Sequence, residues 1–460
     1  MRGRIDKSIV RSLFDPLRQP FLKFVSVAVI AALGGTLIAS LTISEAQGDY
    51  RHWIGTWAAA PQRPIKGSAR TFHNQSLRLI VHSSAGGKTL RVRISNIFGD
   101  QPLVIGSAHI ARRTAGASID AASDRILTFD KKRAITIPAG SLAVSDPVDL
   151  DFPALSDLAI SFFLPDSTPV TTVHILAQQT NYISAQTGDS TGAADFPATE
   201  TMDFWPFLTG VDVMVRGREG ATIIAFGSSL TDGDGSTEDA NRRWPDVLAE
   251  RLQKSGYADL GILNEGIIGN RLLNDAADPG QSGGPRPLGP LFDELGTALG
   301  DAGVKRFDRD VLAQAGVKYV ILALGVNDIL FPGSWIPSRE RVNAESLIRG
   351  NRQLILRAHR HGIRAIGATI PPFEHALWQR PFFDHFYTPE NERIRQQVNA
   401  WIRSSGEFDG LIDFDEAVRD PKRPAQIRPE YDSGDHLHPN DSGNTAQGAI
   451  IALSLFRLTR

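Results

Sequence analysis

The chain predicts an α/β protein in two parts: a doubly wound parallel sheet with helices on both faces over residues 220–460, preceded by a β-rich sandwich or jelly roll over residues 50–217. Three observations carry this. Up to about Gly217, short apolar or alternating segments recur between turn residues with no helical period. After Gly220, apolar strand candidates alternate with helical stretches about five times. At 460 residues, the chain also exceeds what one hydrophobic core commonly serves.

Residues 1–46 are set apart by composition. Arg2, Arg4, Lys7, Arg11, Arg18 and Lys23 precede an uncharged run over 24–43, and Ser44 and Ala46 stand at the spacing signal peptidases accept. An export signal is expected. The run is also about long enough to cross a bilayer, so an uncleaved signal anchor is the alternative, and the basic flank leaves the N-terminus in the cytoplasm in both cases. Everything after Gln47 is expected to work outside the cytoplasm, secreted or periplasmic, with membrane anchoring only if the segment is uncleaved. A net charge of -2 and no long run of one sign give no reason to expect nucleic acid as a partner. The absence of cysteine excludes disulfides, thiolate metal sites and cysteine nucleophiles.

In the β-rich part, strands are expected over 77–81, 90–94, 103–110, 126–129, 134–137, 158–163, 170–175 and 211–215. Turn signals at 85–87, 99–100, 138–140 and 146–147 separate them, the pattern of a sandwich or jelly roll. Trp53 and Trp57 fit core packing better than a sugar or lipid platform. Gln178, Gln179, Thr180 and Asn181 follow a strand end, placed either to reach a neighbouring site or simply as loop polarity.

In the second part, strands are expected over 223–226, 260–263, 319–324, 365–370 and 411–414, with helices over 244–254, 309–315, 340–361, 389–403 and 442–456. The Pro- and Gly-rich stretch over 274–303 is a lid candidate by its length. Ligands of open α/β sheets bind at the carboxyl ends of the strands, so the residues there are the ones to compare. The first strand delivers Ser228 and Ser229 into a sharp turn. The second runs into Gly266-Ile-Ile-Gly-Asn270, where Gly269 lets the backbone approach a ligand. The third ends at Gly325-Val-Asn-Asp328, bringing the Asn327 amide, a two-proton donor. After the fifth, Asp435 and His438 lie three apart before the final helix, so one turn can present both. Ester cleavage by serine needs this set: a hydroxyl, a base, an acid orienting the base, and donors for the oxyanion.

These four blocks, in this order, resemble the SGNH hydrolases, the GDSL-type lipases and esterases. The resemblance implies a flavodoxin-like three-layer α/β/α domain and an acyl-enzyme mechanism that needs no metal or cofactor. It implies Ser229 as nucleophile, His438 as general base and Asp435 as its orienting acid, with the Ser229 N–H, the Gly269 N–H and the Asn327 side chain as oxyanion donors. One departure stands out: Ser228 occupies the position where the family's name motif has Asp, which changes or removes a hydrogen bond in the turn. The opening Trp53-Ile-Gly-Thr-Trp-Ala-Ala-Ala-Pro-Gln62, ahead of a GDSL block, is similar to a secreted subgroup of these esterases with a β-rich N-terminal domain.

His436 is the rival base, two residues from His438, and the family spacing favours His438. Trp335, Phe373 and Trp378 sit in loops leaving the serine's rim, where they either wall an acyl or aryl pocket or pack against helices. Asp232, Asp234 and Glu238 read as acidic residues favoured at a helix start. No helical pair of histidines and no calcium-type loop argues for a metal. Three function classes remain open: a secreted serine esterase acting on short to medium acyl groups of a polysaccharide or lipid; an acyltransferase with the same triad; and a non-catalytic glycan- or surface-binding protein working through its β-rich part.

Overall fold

Strand one of the parallel sheet, Ala221–Gly227, shows why an uninterrupted apolar run is needed: its successive side chains enter two different cores. Ile224 and Phe226 join one core with Leu263, Val320, Leu322, Leu347, Leu354 and Val398, whereas Ile223 and Ala225 join the other with Trp244, Leu248, Ile321, Ile366 and Ile412. The computed structural model describes residues 50–456 apart from 68, 187, 218, 277–294, 334, 335, 337 and 377–385. The export segment, Trp335, Trp378 and the middle of the 274–303 lid candidate lie outside the described residues. From Gly48 onward the chain is one compact unit, and no described helix is long and apolar enough to cross a membrane.

All neighbours in the five-stranded sheet are parallel, in the spatial order Leu260–Gly266, Ala221–Gly227, Val317–Ala323, Arg364–Ala368, Gly410–Ile412. In chain order this is 2-1-3-4-5, the flavodoxin-like arrangement. The chain leaves strand one in one direction and continues from strand three in the other. Ligands of such sheets bind at this switch point, and Ser229 follows directly on the carboxyl end of strand one.

Helices fall at Trp244–Lys254, Ala344–Arg360 and Pro389–Ser404, close to expectation, while the last, Asp441–Ile450, stops short of the expected 456 and is followed by a separate tight turn at Leu453–Phe456. Asn343, Thr388 and Asn440 cap the last three with side-chain oxygens. One expectation fails: instead of a helix over 309–315 there is a short helix at Gly303–Phe307 and then a wider turn, closed by the Ala313 N–H on the Asp308 carbonyl. The reason is Arg306, whose side chain points inward and is fully buried, so the amphipathic face begins earlier than the apolar pattern suggests.

The main sheets of residues 51–216 are two antiparallel ones packed face to face. One contains Arg51–Ala58, Leu208–Arg216, Gly87–Asn96 and Ser141–Val144 in that order; the other contains Ala198–Met202, Asn181–Ser184, Gln75–His82, Asp157–Leu164 and Ser107–Ala115. Inward residues of both, such as Leu79, Val81, Ile160 and Phe162 against Leu90, Val92, Val211 and Val213, make a single sandwich core. Trp57 belongs to it, edge-on to Trp205 at 4.9 Å, while Trp53 lies under the Arg91 guanidinium. Three expected strands are shorter or broken, and of 126–129 only Ile126 lies in a strand, Arg125–Ile126. The 103–110 run splits at Gly106, where a side chain would meet Phe163, and of 170–175 only Val173–His174 pairs.

The sandwich covers the edge of the parallel sheet. Gly55 donates its N–H to the Thr222 hydroxyl at 2.8 Å, and the Ser84 hydroxyl bonds both the carbonyl and the N–H of Ile262 on the edge strand. Contact is so close that a Cβ on Gly261 would lie 1.9 Å from the Gly55 carbonyl oxygen. Glycine at these positions lets two backbones touch.

Candidate active site

Ser229 opens a four-residue helical turn that ends on Gly233, at φ 111°. Gly227, one residue before Ser228, has no room for a side chain, since a Cβ would meet the Thr231 hydroxyl at 2.0 Å. Tight folding at both ends holds the Ser229 hydroxyl in one place. Its oxygen lies 2.9 Å from His438 Nε2, although the two residues are 209 positions apart. On the other side of the ring, His438 Nδ1 lies 2.6 Å from Asp435.

Asp435 does two jobs. One oxygen faces the imidazole; the other accepts the N–H groups of Leu437 and His438 and the Ser433 hydroxyl. Burial acts to raise its pKa, but the hydrogen bond and charge of His438 together with these N–H groups prevail and hold the carboxyl well below the ordinary range. An ionised Asp435 requires a proton on Nδ1, which leaves Nε2 as the acceptor for the serine proton. The Asp234 carboxylate stands 3.6 Å from the same Nε2. His436, by contrast, turns to Asp432 at 2.5 Å.

The oxyanion candidates lie on the next two loops. In the turn after strand two, the N–H groups of Ile267, Ile268 and Asn270 bond the Gly227 carbonyl, the Asp232 carboxylate and the Ile267 carbonyl. The Gly269 N–H, at φ 69°, meets no acceptor among the described residues. Asn327 donates one amide proton to the Asn270 carbonyl at 2.9 Å and has a second to offer. Asp328 accepts from the N–H groups of Leu272 and Leu273 and is pushed up to about 6 by burial, against the pull of those donors and Arg271. The third loop therefore holds the second. The Ser229 N–H, at the first position of its helical turn, has no intrahelical acceptor.

Beneath the turn lies Arg306, which the sequence reading passed over. Its guanidinium donates to the carbonyls of Gly227 and Glu265, to Asn270 Oδ1 and to Asp310, and it stacks 4.1 Å from the Phe226 ring centre. One side chain thus ties the serine turn to the Gly269 turn. The Arg306/Asp310 spacing of four was its available signal, a pattern shared with many surface helices.

Two expectations are corrected. Phe373 is fully buried in the core, edge-on to Tyr387 and near Arg395, so it packs rather than walls a pocket. Asp232 is not a simple helix-start acid: it pairs with His174 from the sandwich at 2.9 Å. Gln178, Gln179 and Thr180 do reach the site's surroundings, bonding Gly233 and Asp239 in the loop after the serine. Ser228, where the family's name motif has Asp, is buried, and its hydroxyl has no protein partner among the described residues. No group of His, Asp and Glu among the described residues is arranged to hold a metal ion.

The sequence profile of the GDSL-like lipase/acylhydrolase family matches residues 223–451. Among solved structures, the chain is similar to the native aryl esterase of M. smegmatis, with 18% identity, a TM-score of 0.35 and coverage of 50% of this chain and 95% of that one. It is also similar to a GDSL-like lipase from Bacteroides thetaiotaomicron (15%, 0.32, 51% and 87%) and a carbohydrate acetylesterase from Sinorhizobium meliloti (16%, 0.34, 50% and 94%). No curated protein matches. With the four blocks, the 2-1-3-4-5 sheet and the matched profile together, residues 223–451 form a domain of the GDSL-like lipase/acylhydrolase family, and the protein is a carboxylic ester hydrolase.

Proposed function

We propose that the chain is an exported serine esterase that removes short to medium acyl groups, from an O-acetylated polysaccharide or a lipid ester, through Ser229, His438 and Asp435. The observation that carries this is the continuous line from Asp435 through both ring nitrogens of His438 to the Ser229 hydroxyl. In the first half-reaction, Ser229 Oγ bonds the ester carbonyl carbon as its proton passes to His438 Nε2. The carbonyl oxygen becomes an oxyanion, which the N–H groups of Ser229 and Gly269 and the Asn327 amide stabilise. The carbon–oxygen bond to the alcohol then breaks, and the alkoxide leaves with the proton from Nε2. Water repeats the sequence on the acyl-enzyme, yielding the acid and free Ser229.

Ser229 exposes 4% of its surface and His438 6%, so the reacting pair is largely shielded from bulk water. Export is supported by the basic flank, apolar run and small residues within 1–46. The test is hydrolysis of nitrophenyl esters of increasing chain length by wild type and Ser229→Ala, with fluorophosphonate labelling. Labelling at Ser229 and loss of roughly 10⁴-fold or more of kcat in the variant are expected. Activity retained by Ser229→Ala overturns the nucleophile, and rates rising steadily to the longest chains overturn the acyl-size preference.

A further inference from the structure

His174 comes from the sandwich and lies against the Trp205 ring, yet it ends inside the hydrolase part. Its Nδ1 donates to the Ala60 carbonyl at 2.9 Å, and its Nε2 faces Asp232 Oδ1 at 2.9 Å. Both ring nitrogens thus face acceptors, the setting of an imidazolium on a carboxylate. Burial acts to lower the His174 pKa and Arg243 opposes the charge as well, but Asp232 and the Ala60 carbonyl outweigh them and raise it. The other Asp232 oxygen accepts the Ile268 N–H at 2.9 Å. Ile268 immediately precedes Gly269, whose own N–H is the amide of residues 267–270 left without an acceptor among the described residues.

We infer that His174 is a positioning residue for ester cleavage: it fixes Asp232, Asp232 fixes the Ile268 amide, and the peptide that follows is thereby oriented to present the Gly269 N–H to the oxyanion. This rests on the assignment of Gly269 to the oxyanion site proposed above. It also gives the sandwich a role in the chemistry. A hydrogen-bond donor displaced by a fraction of an ångström from the developing oxyanion loses much of its effect, whereas substrate binding in the ground state depends on it little. Removal of His174 should therefore appear in kcat and not in KM.

The experiment measures kcat and KM for nitrophenyl acetate on the full chain carrying His174→Ala, His174→Gln, Asp232→Asn, Gln179→Ala or Ser229→Ala. Gln179 also joins the sandwich to the loop after the serine, through Asp239, without touching Asp232. The expected result is a kcat reduced by about 10- to 100-fold in His174→Ala with KM within about 3-fold, on the scale of a weakened oxyanion donor. His174→Gln, which keeps a donor toward Asp232, should recover most of this, and Gln179→Ala should stay near wild type. If His174→Ala does not fold, a low kcat in Asp232→Asn beside a near-normal His174→Gln supports the inference, and two near-normal variants overturn it. A loss in Gln179→Ala equal to that in His174→Ala overturns it too, because general docking of the sandwich then explains both. A dead Ser229→Ala with an unchanged His174→Ala removes this inference alone, while an active Ser229→Ala removes the nucleophile assignment beneath it.

Discussion

Two histidine–aspartate pairs flank the nucleophile turn, and they are built for opposite purposes. His438 and Asp435 are three residues apart in one loop, and the second ring nitrogen faces a hydroxyl, a group that can either give or take a proton. His174 and Asp232 are 58 residues apart, both almost wholly buried, and the second ring nitrogen faces a carbonyl, which can only accept. In the proposed mechanism the first ring gains and loses a proton during turnover. The second has a proton fixed toward the carbonyl and serves as a strut. What separates a base from a brace here is the partner at the far nitrogen.

The sharpest way to break the comparison is to take the orienting charge from the first pair. In Asp435→Asn the amide still has one oxygen, but the Leu437 and His438 N–H groups compete for it, and the NH₂ turns toward Nδ1. Nδ1 must then accept, which puts the ring proton on Nε2, where it blocks transfer from Ser229. We expect kcat to fall by about 10⁴-fold, as wrong-tautomer variants of such triads do. The same substitution reads out in stability. Because the folded carboxyl titrates well below its unfolded value of about 4, its contribution is full above that pH and is lost as pH falls toward the lower folded value. Melting temperatures measured downward from about pH 5 should therefore drop more steeply in wild type than in Asp435→Asn. Parallel curves would show that the carboxyl is not held low.

Next in size is Asn327→Ala. Asn327 is buried and donates to the Asn270 carbonyl, so its loss removes one proposed oxyanion donor and leaves that carbonyl with one fewer partner. A fall in kcat of about 10²- to 10³-fold is expected with KM little changed. Destabilisation should be about 1–3 kcal/mol, from the unmade buried hydrogen bond, measurable by urea titration. Equal losses in kcat and stability alone, with rescue of kcat at lower temperature, would assign Asn327 to the fold and not to the oxyanion.

How much of this could be read from the sequence follows from where each residue's partner lies. Strands such as Ala221–Gly227 were legible because burial on both faces demands an unbroken apolar run. The triad blocks were legible because each puts a chemically distinctive residue at a strand end, and Asp435 and His438 announce each other by proximity. His174 had no such signal: its partner is 58 residues away in another architectural layer, and before folding it resembles any other imidazole in a strand. Arg306 was hidden for a related reason. A buried guanidinium is made tolerable by backbone carbonyls at Gly227 and Glu265, and carbonyls leave no mark on a sequence. Phe373 stays open between pocket and packing in the sequence because an aromatic residue in a rim loop looks the same whether it faces a pocket or, as here, the core.

The smallest expected effect belongs to the nearest rival. His436 stands in the left-handed region at φ 61° and engages Asp432, with about a third of its side chain exposed. The ring is held on Asp432, whereas the Ser229 hydroxyl is held on His438. His436→Ala should therefore keep kcat within about 3-fold of wild type, the scale of a change that leaves the reacting atoms in place. His438→Ala should lose roughly as much as Ser229→Ala, since neither member of the pair works without the other. The position is also one where glycine relieves backbone strain, so His436→Gly should be no less stable than His436→Ala in thermal melts. A His436→Ala enzyme that is inactive beside an active His438→Ala would exchange the two roles and leave the Ser229–His438 contact as a packing coincidence.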